Sequence, residues 1–74
     1  VKEIEIYTES ITLSQFLKWV GAVQTGGEAK LLIQQGLVTV NGKVQTKRGK
    51  KLGENDIVSI EGHPEEFIIK RKNI

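Results

Sequence analysis

Between Thr25 and Gly42 the sequence TGGEAKLLIQQGLVTVNG permits few folds, because it sets a helix start, a helix stop and a hairpin within 18 residues. Thr25 is a good N-cap, and Glu28 three residues later completes the pattern of a capping box. Gly36 stands where a helix ends on one left-handed residue. Val38 to Val40 then reads as a strand, and Asn41-Gly42 is the strongest short-range signal for a tight turn. The basic segment KVQTKRGKK, Lys43 to Lys51, follows directly, so helix, hairpin and positive charge arrive together.

The rest of the chain supplies partners for this unit. Glu3 to Tyr7 alternates, with Ile4 and Ile6 on one side and Glu3 and Glu5 on the other, as an edge strand buried on one face does. Thr12 and Gln15 form a second capping pair, Ile11 and Phe16 are spaced for a hydrophobic staple, and a first helix should begin at Leu13. Leu13, Phe16, Leu17 and Val20 make one apolar stripe, and Gly21 is a stop. The second helix should run from Gly26 to about Gln35, with Ala29, Leu32 and Ile33 inward and Lys30 and Gln34 outward. Two short capped helices joined by Ala22 to Gln24 should pack as a helical hairpin. Thr46 to Lys51 shows no period and reads as a loop, and Leu52 to Asp56 as a turn. Ile57 to Glu61 and Glu66 to Lys70 read as strands, separated by a turn at Gly62, His63 and Pro64, and Lys70, Arg71 and Lys72 as a frayed basic tail. A strict two-residue turn at Asn41-Gly42 would set Val40 opposite Lys43 and Thr39 opposite Val44, mixing apolar and polar residues on each face; a bulge or a longer loop is the alternative. The fold class is α+β: two short antiparallel helices on a small, bent, mostly antiparallel sheet.

Its 74 residues allow one domain with a modest core, residues 1–74, with the central motif at 13–60. With no cysteine and one histidine, neither a disulfide framework nor a thiolate metal site is available, and no cofactor is expected. A reducing cytoplasm is the expected compartment; no apolar run is long enough to span a bilayer, and acids occupy the start, where a secretion signal would be apolar. The charge is segregated. Residues 1–9 and 53–74 each carry a net −2, whereas residues 10–52 carry +6, from Lys18, Lys30, Lys43, Lys47, Arg48, Lys50 and Lys51 against Glu28 alone. An anionic partner would be drawn to the middle.

No Ser-His-Asp or Cys-His set can be assembled, so a binding module is the natural class and no small-molecule substrate is expected. The lysines lie in a loop and not on a strongly amphipathic helix, which argues against a membrane. Neither helix shows a row of base-reading side chains, which argues against sequence-specific DNA; shape and phosphate contacts can serve structured RNA without one. The candidate contacts are Lys30, Lys43, Lys47, Arg48, Lys50 and Lys51 as phosphate neutralisers, with Lys18 beside them. Gly26 and Gly27 open the second helix with bare backbone, either to let a phosphate reach the free N–H groups or to allow a tight entry against the first helix. Trp19 lies off the apolar stripe, either as a stacking face for an unpaired base or, as the average burial of tryptophan favours, as a cover for the edge of the core; it is left out of the site. A monomer is expected; the competing expectation is an adapter that docks on an acidic protein surface.

The ordered run Ala29, Leu32, Ile33, Gly36, Val38, Val40, Asn41 and Gly42 resembles the S-four domain, the small RNA-binding domain named after small-subunit ribosomal protein four. GGEAK from Gly26 and TKRGKKL from Thr46 are similar to its stand-alone YaaA-type subfamily. The resemblance covers Leu13 to Ile60 and implies the alpha-L fold, with RNA lying along the helices and the adjoining basic loop. Lys30 falls at a position commonly basic in the family, and Lys47, Arg48, Lys50 and Lys51 fall in the subfamily's basic loop. Thr12 and Gly26 stand where many members have arginine, and Asn55 where glycine is usual before Asp56. The subfamily implies ribosomal RNA as the partner and subunit assembly as the setting.

Overall fold

A computed structural model describes residues 1–72. Its elements run in the order β1 (Lys2–Ile6), β2 (Ile11–Thr12), α1 (Leu13–Trp19), α2 (Gly26–Gln34), β3 (Val38–Val40), β4 (Lys43–Val44), β5 (Lys51–Leu52), β6 (Ile57–Ile60) and β7 (Phe67–Arg71). A five-stranded sheet has the order β1-β7-β6-β3-β4, and β2 pairs with β5 in a separate two-stranded ribbon. All pairings are antiparallel except β1 with β7, which join the two ends of the chain in parallel.

The caps foreseen from the sequence set both helix starts. At α1 the Gln15 amide donates to Thr12 Oγ1 at 3.3 Å, and the Thr12 amide donates to Gln15 Oε1 at 3.1 Å, a complete reciprocal box. At α2 the Glu28 amide donates to Thr25 Oγ1 at 3.1 Å, but Glu28 Oε1 accepts from the Gln24 amide at 3.2 Å, so the return bond reaches one residue beyond the cap. Helix α1 closes at Val20, with Gly21 at φ +78°; α2 closes at Gln35, with Gly36 at φ +76°.

The two helices pack on one another and cover the sheet. Leu13, Phe16 and Leu17 from α1, with Ala29 and Ile33 from α2, are fully buried against Val38, Val58 and Ile69 of the sheet. Leu32, expected inward, is half-buried at the edge of this core. The Phe16 and Phe67 rings meet edge to face at 6.0 Å. Val23, in the connection between the helices, is buried too, because its amide and that of Ala22 donate to the Leu17 carbonyl and fold the connection back.

Two expectations are corrected and one open choice is settled. Leu52 is not a turn residue: it is fully buried, and with Lys51 it forms β5. Its single apolar side chain is too short a signal for a strand, but it fills the core beneath β2, where it stands opposite Ile11. The basic tail is not frayed, since Lys70 and Arg71 complete β7 and the Lys72 amide donates to the Ile6 carbonyl at 2.8 Å. Lys72 Nζ also lies 2.8 Å from Glu5, whose carboxylate raises the lysine pKa by hydrogen bonding and charge. This pair is exposed and will be screened by salt. The hairpin, thirdly, is the strict two-residue turn: Thr39 pairs with Val44 and Val40 with Lys43, with Asn41 at φ +53° and Gly42 at φ +85°. The mixed faces are tolerated because β4 is an edge strand whose two residues are both exposed.

Asn41 does more than turn the chain. Its Nδ2 donates to Asp56 Oδ1 at 3.0 Å, its Oδ1 accepts from the Ile57 amide at 2.9 Å, and Asp56 Oδ2 accepts from the Gly53 amide at 2.8 Å. The hairpin tip is thereby clamped to the turn before β6. Asn41→Ala, which loses these bonds and puts a Cβ residue without a local hydrogen-bonding side chain at positive φ, should cost about 1–3 kcal/mol in urea unfolding. Asn41→Gly, which loses only the bonds, should cost less; equal costs would show that the clamp contributes all of the effect and the backbone none.

Candidate nucleic-acid interface

Charge alone would leave the basic segment a solvated loop; its backbone is what turns it into a surface. After β4 the Gln45 amide donates to the Val38 carbonyl, and Gln45 Oε1 accepts from the Lys47 amide at 3.1 Å. The Lys50 amide closes on the Lys47 carbonyl at 3.1 Å, making a turn of Lys47 to Lys50. That turn sits on the start of α1: the Ser14 amide donates to the Arg48 carbonyl at 3.1 Å and the Leu13 amide to the Lys50 carbonyl at 2.8 Å. Helix amides in the first turn have no intrahelical acceptor, so the loop supplies what the helix lacks. Lys51 then pairs opposite Thr12, and Leu52 anchors the end of the loop in the core.

With the backbone fixed, the Lys47, Arg48, Lys50 and Lys51 side chains are all exposed. Among the described residues the ion pair is Lys72 with Glu5, so these four cations have no acidic partner there. Like charges held together on one short loop repel, and an incoming polyanion relieves that repulsion.

The other candidates are spread more widely. Lys43 is exposed on β4 just past the hairpin tip, and Lys30 is exposed on α2 beside the buried Ala29. Lys18 is exposed in the last turn of α1. Gly26 and Gly27 open α2 near that same end, because the connection folds back onto Leu17. The loop cluster and the Lys18–Gly27 group therefore lie at opposite ends of α1, about 10 Å apart along a seven-residue helix. The two glycines are exposed, and a Cβ on Gly26 would meet nothing within 4 Å, so crowding against α1 does not explain them. The Glu28 carboxylate, however, lies at that helix end already, 3.5 Å from Thr25 Oγ1.

Trp19 does not cover the core: it is 61% exposed, and its position off the apolar stripe was the signal for this. Tyr7, beyond the end of β1, is 58% exposed. No helix among the described residues is long and apolar enough to cross a membrane.

The sequence profile of the S4 domain matches residues 4–69, nearly the whole chain. The chain belongs to the S4 domain family. Within reach of this S4 domain is the probable ribosome maturation protein RlbA of Bacillus subtilis (strain 168), 48% identical over 59 residues that span 80% of this chain and 83% of the relative. Among solved structures, the crystal structure of the 30S ribosomal protein S4e from Thermoplasma acidophilum superposes with a TM-score of 0.58 at 27% identity, over 80% of this chain. The matched part is 30% of that ribosomal protein's length. Two of the three departures from the S4 pattern have local reasons here. Asn55 takes φ +72°, the left-handed conformation that asparagine tolerates, and Thr12 is occupied as the cap of α1.

If the loop is anchored as described, the Leu13 and Ser14 amides should exchange with deuterium far more slowly than those of Gly26 and Gly27, which stand at the same positions of α2. Equal, rapid exchange at all four, followed by NMR, would mean that the loop does not hold the start of α1.

Proposed function

We propose that this S4 domain is a non-catalytic RNA-binding module that recognises structured RNA, ribosomal RNA above all, and acts in ribosome assembly in the cytoplasm as a monomer. The observation that carries the reading is the loop of four exposed, acid-free cations whose backbone is bonded to α1. Family membership, the maturation protein similar over most of both chains, and the ribosomal protein of like fold support the same direction.

In this mechanism Lys47, Arg48, Lys50 and Lys51 neutralise phosphates and release counterions, which makes affinity fall with salt. Because the loop's backbone is already ordered, binding costs little further backbone entropy. Lys43 and Lys30 extend the contact across the hairpin and α2. Lys18, with Gly26 and Gly27, meets the backbone at the other end of α1, where Glu28 limits how closely a phosphate approaches. The discrimination these groups supply rests on their spacing against A-form RNA.

Changing Lys47, Arg48, Lys50 and Lys51 together to glutamine should leave the fold intact, because all four side chains are exposed. Affinity for structured ribosomal RNA fragments should drop, and the slope of log affinity against log salt should become shallower by about three. A folded variant with unchanged affinity and slope would sink the proposal. Association with ribosomal particles that survives nuclease treatment but is lost with these four substitutions would instead favour docking on an acidic protein surface.

A further inference from the structure

The segment leaving β1 and the outer side of α1 enclose an open groove of about 400 Å³ that the basic loop does not use. Ile6 and Ile11 contribute its apolar surface, Tyr7 and Trp19 its exposed rings, and Ser10 and Gln15 its polar groups. Neither ring is spent on packing with another: the aromatic pairs among the described residues are Phe16 with Phe67 and His63 with Phe67. Two large aromatic side chains more than half exposed beside one groove are a costly arrangement for a small domain, since both would be stabilised by burial.

We propose that this groove takes one unpaired nucleobase of the bound RNA, stacked on Trp19. The inference rests on the RNA-binding reading and extends it from phosphate contacts to recognition of an unstacked base. Three observations favour a base over an apolar protein side chain. The walls are flat rings, and base stacking on aromatic side chains is the usual way single-stranded positions are held. The groove also carries hydrogen-bonding groups: Gln15 Oε1 is taken by the Thr12 amide, which leaves the Nε2 donors for a base edge, and Ser10 lines the same groove. Finally, the groove lies one strand away from the basic cluster. Ile11, in the groove wall, lies on β2, and β2 is paired with β5, the strand that carries Lys51, the last cation of the loop. Lys18 precedes Trp19 on α1. Glu9, the acid in the same connection, is not among the lining residues.

Trp19 is the single tryptophan of the chain, so its fluorescence reports on this groove alone. The test uses two RNAs, a stem with one bulged base and the same stem fully paired, with the full chain and with Trp19→Ala and Trp19→Phe. The bulged RNA should quench Trp19 and bind about tenfold more tightly than the paired one. Trp19→Ala should abolish that difference, Trp19→Phe should keep most of it, and neither should alter the salt slope, because no charge changes. Bulged RNA that binds without moving the Trp19 emission, and binds Trp19→Ala as well as wild type, overturns the proposal and leaves the groove to a protein side chain. Failure of the wild-type chain to bind either RNA overturns the RNA reading itself and the groove proposal with it; intact binding without a bulge preference overturns the groove proposal alone.

Discussion

A helix of two turns cannot hold itself in water, and α1 is held at its start by carbonyls that belong to another part of the chain. The bonds from Leu13 and Ser14 to the Lys50 and Arg48 carbonyls join the first helix to the basic loop, and Leu52 pins the same loop into the core. Each side gains what it lacks: the helix gains acceptors for orphan amides, and the loop gains a fixed path despite the repulsion among its side chains. The remaining architecture accommodates this junction. The Asn41 clamp sets where the loop departs, the β2–β5 ribbon sets where it ends, and the parallel pairing of β1 with β7 closes the opposite edge of the sheet.

The charge follows the same division. Apart from Glu28 on α2, the acidic residues are carried by the outer strand β1 and by the connections and turns, where Glu5 is paired with Lys72 and Asp56 is consumed by the Asn41 and Gly53 bonds. The cations of the loop are left without such partners among the described residues, although they are held by a rigid backbone. An S4 domain built this way gathers four unpaired cations on one anchored loop without adding to the burden on a core in which, among the described residues, no polar side chain is buried.

How much of this was legible in the sequence depended on how local the signal was. Both N-caps, both glycine stops, the core stripe of α1 and the position of the hairpin turn were readable because each is set by residues within seven positions of one another. Leu52 was misread because a strand of two residues has no period, and its burial depends on Ile11, far away in sequence. The ordered C-terminal strand was underestimated for the same reason: Lys72 is fixed by Ile6 and Glu5 at the other end of the chain. Of the candidate interface, the charged residues were visible as a run, but their anchoring to α1 was not, because backbone carbonyls carry no sequence signature. Trp19 shows the opposite error. Average burial outweighed its place off the helix stripe, and the stripe was the better guide.

The most direct test of the central claim is a titration of the purified protein against structured ribosomal RNA fragments and a matched DNA duplex, each at low and at physiological salt. Tighter binding to RNA, with the preference surviving physiological salt, is the result expected of a surface shaped for A-form backbone. Weak and equal binding to both, vanishing as salt is raised, would contradict it and reduce the loop to a generic polycation.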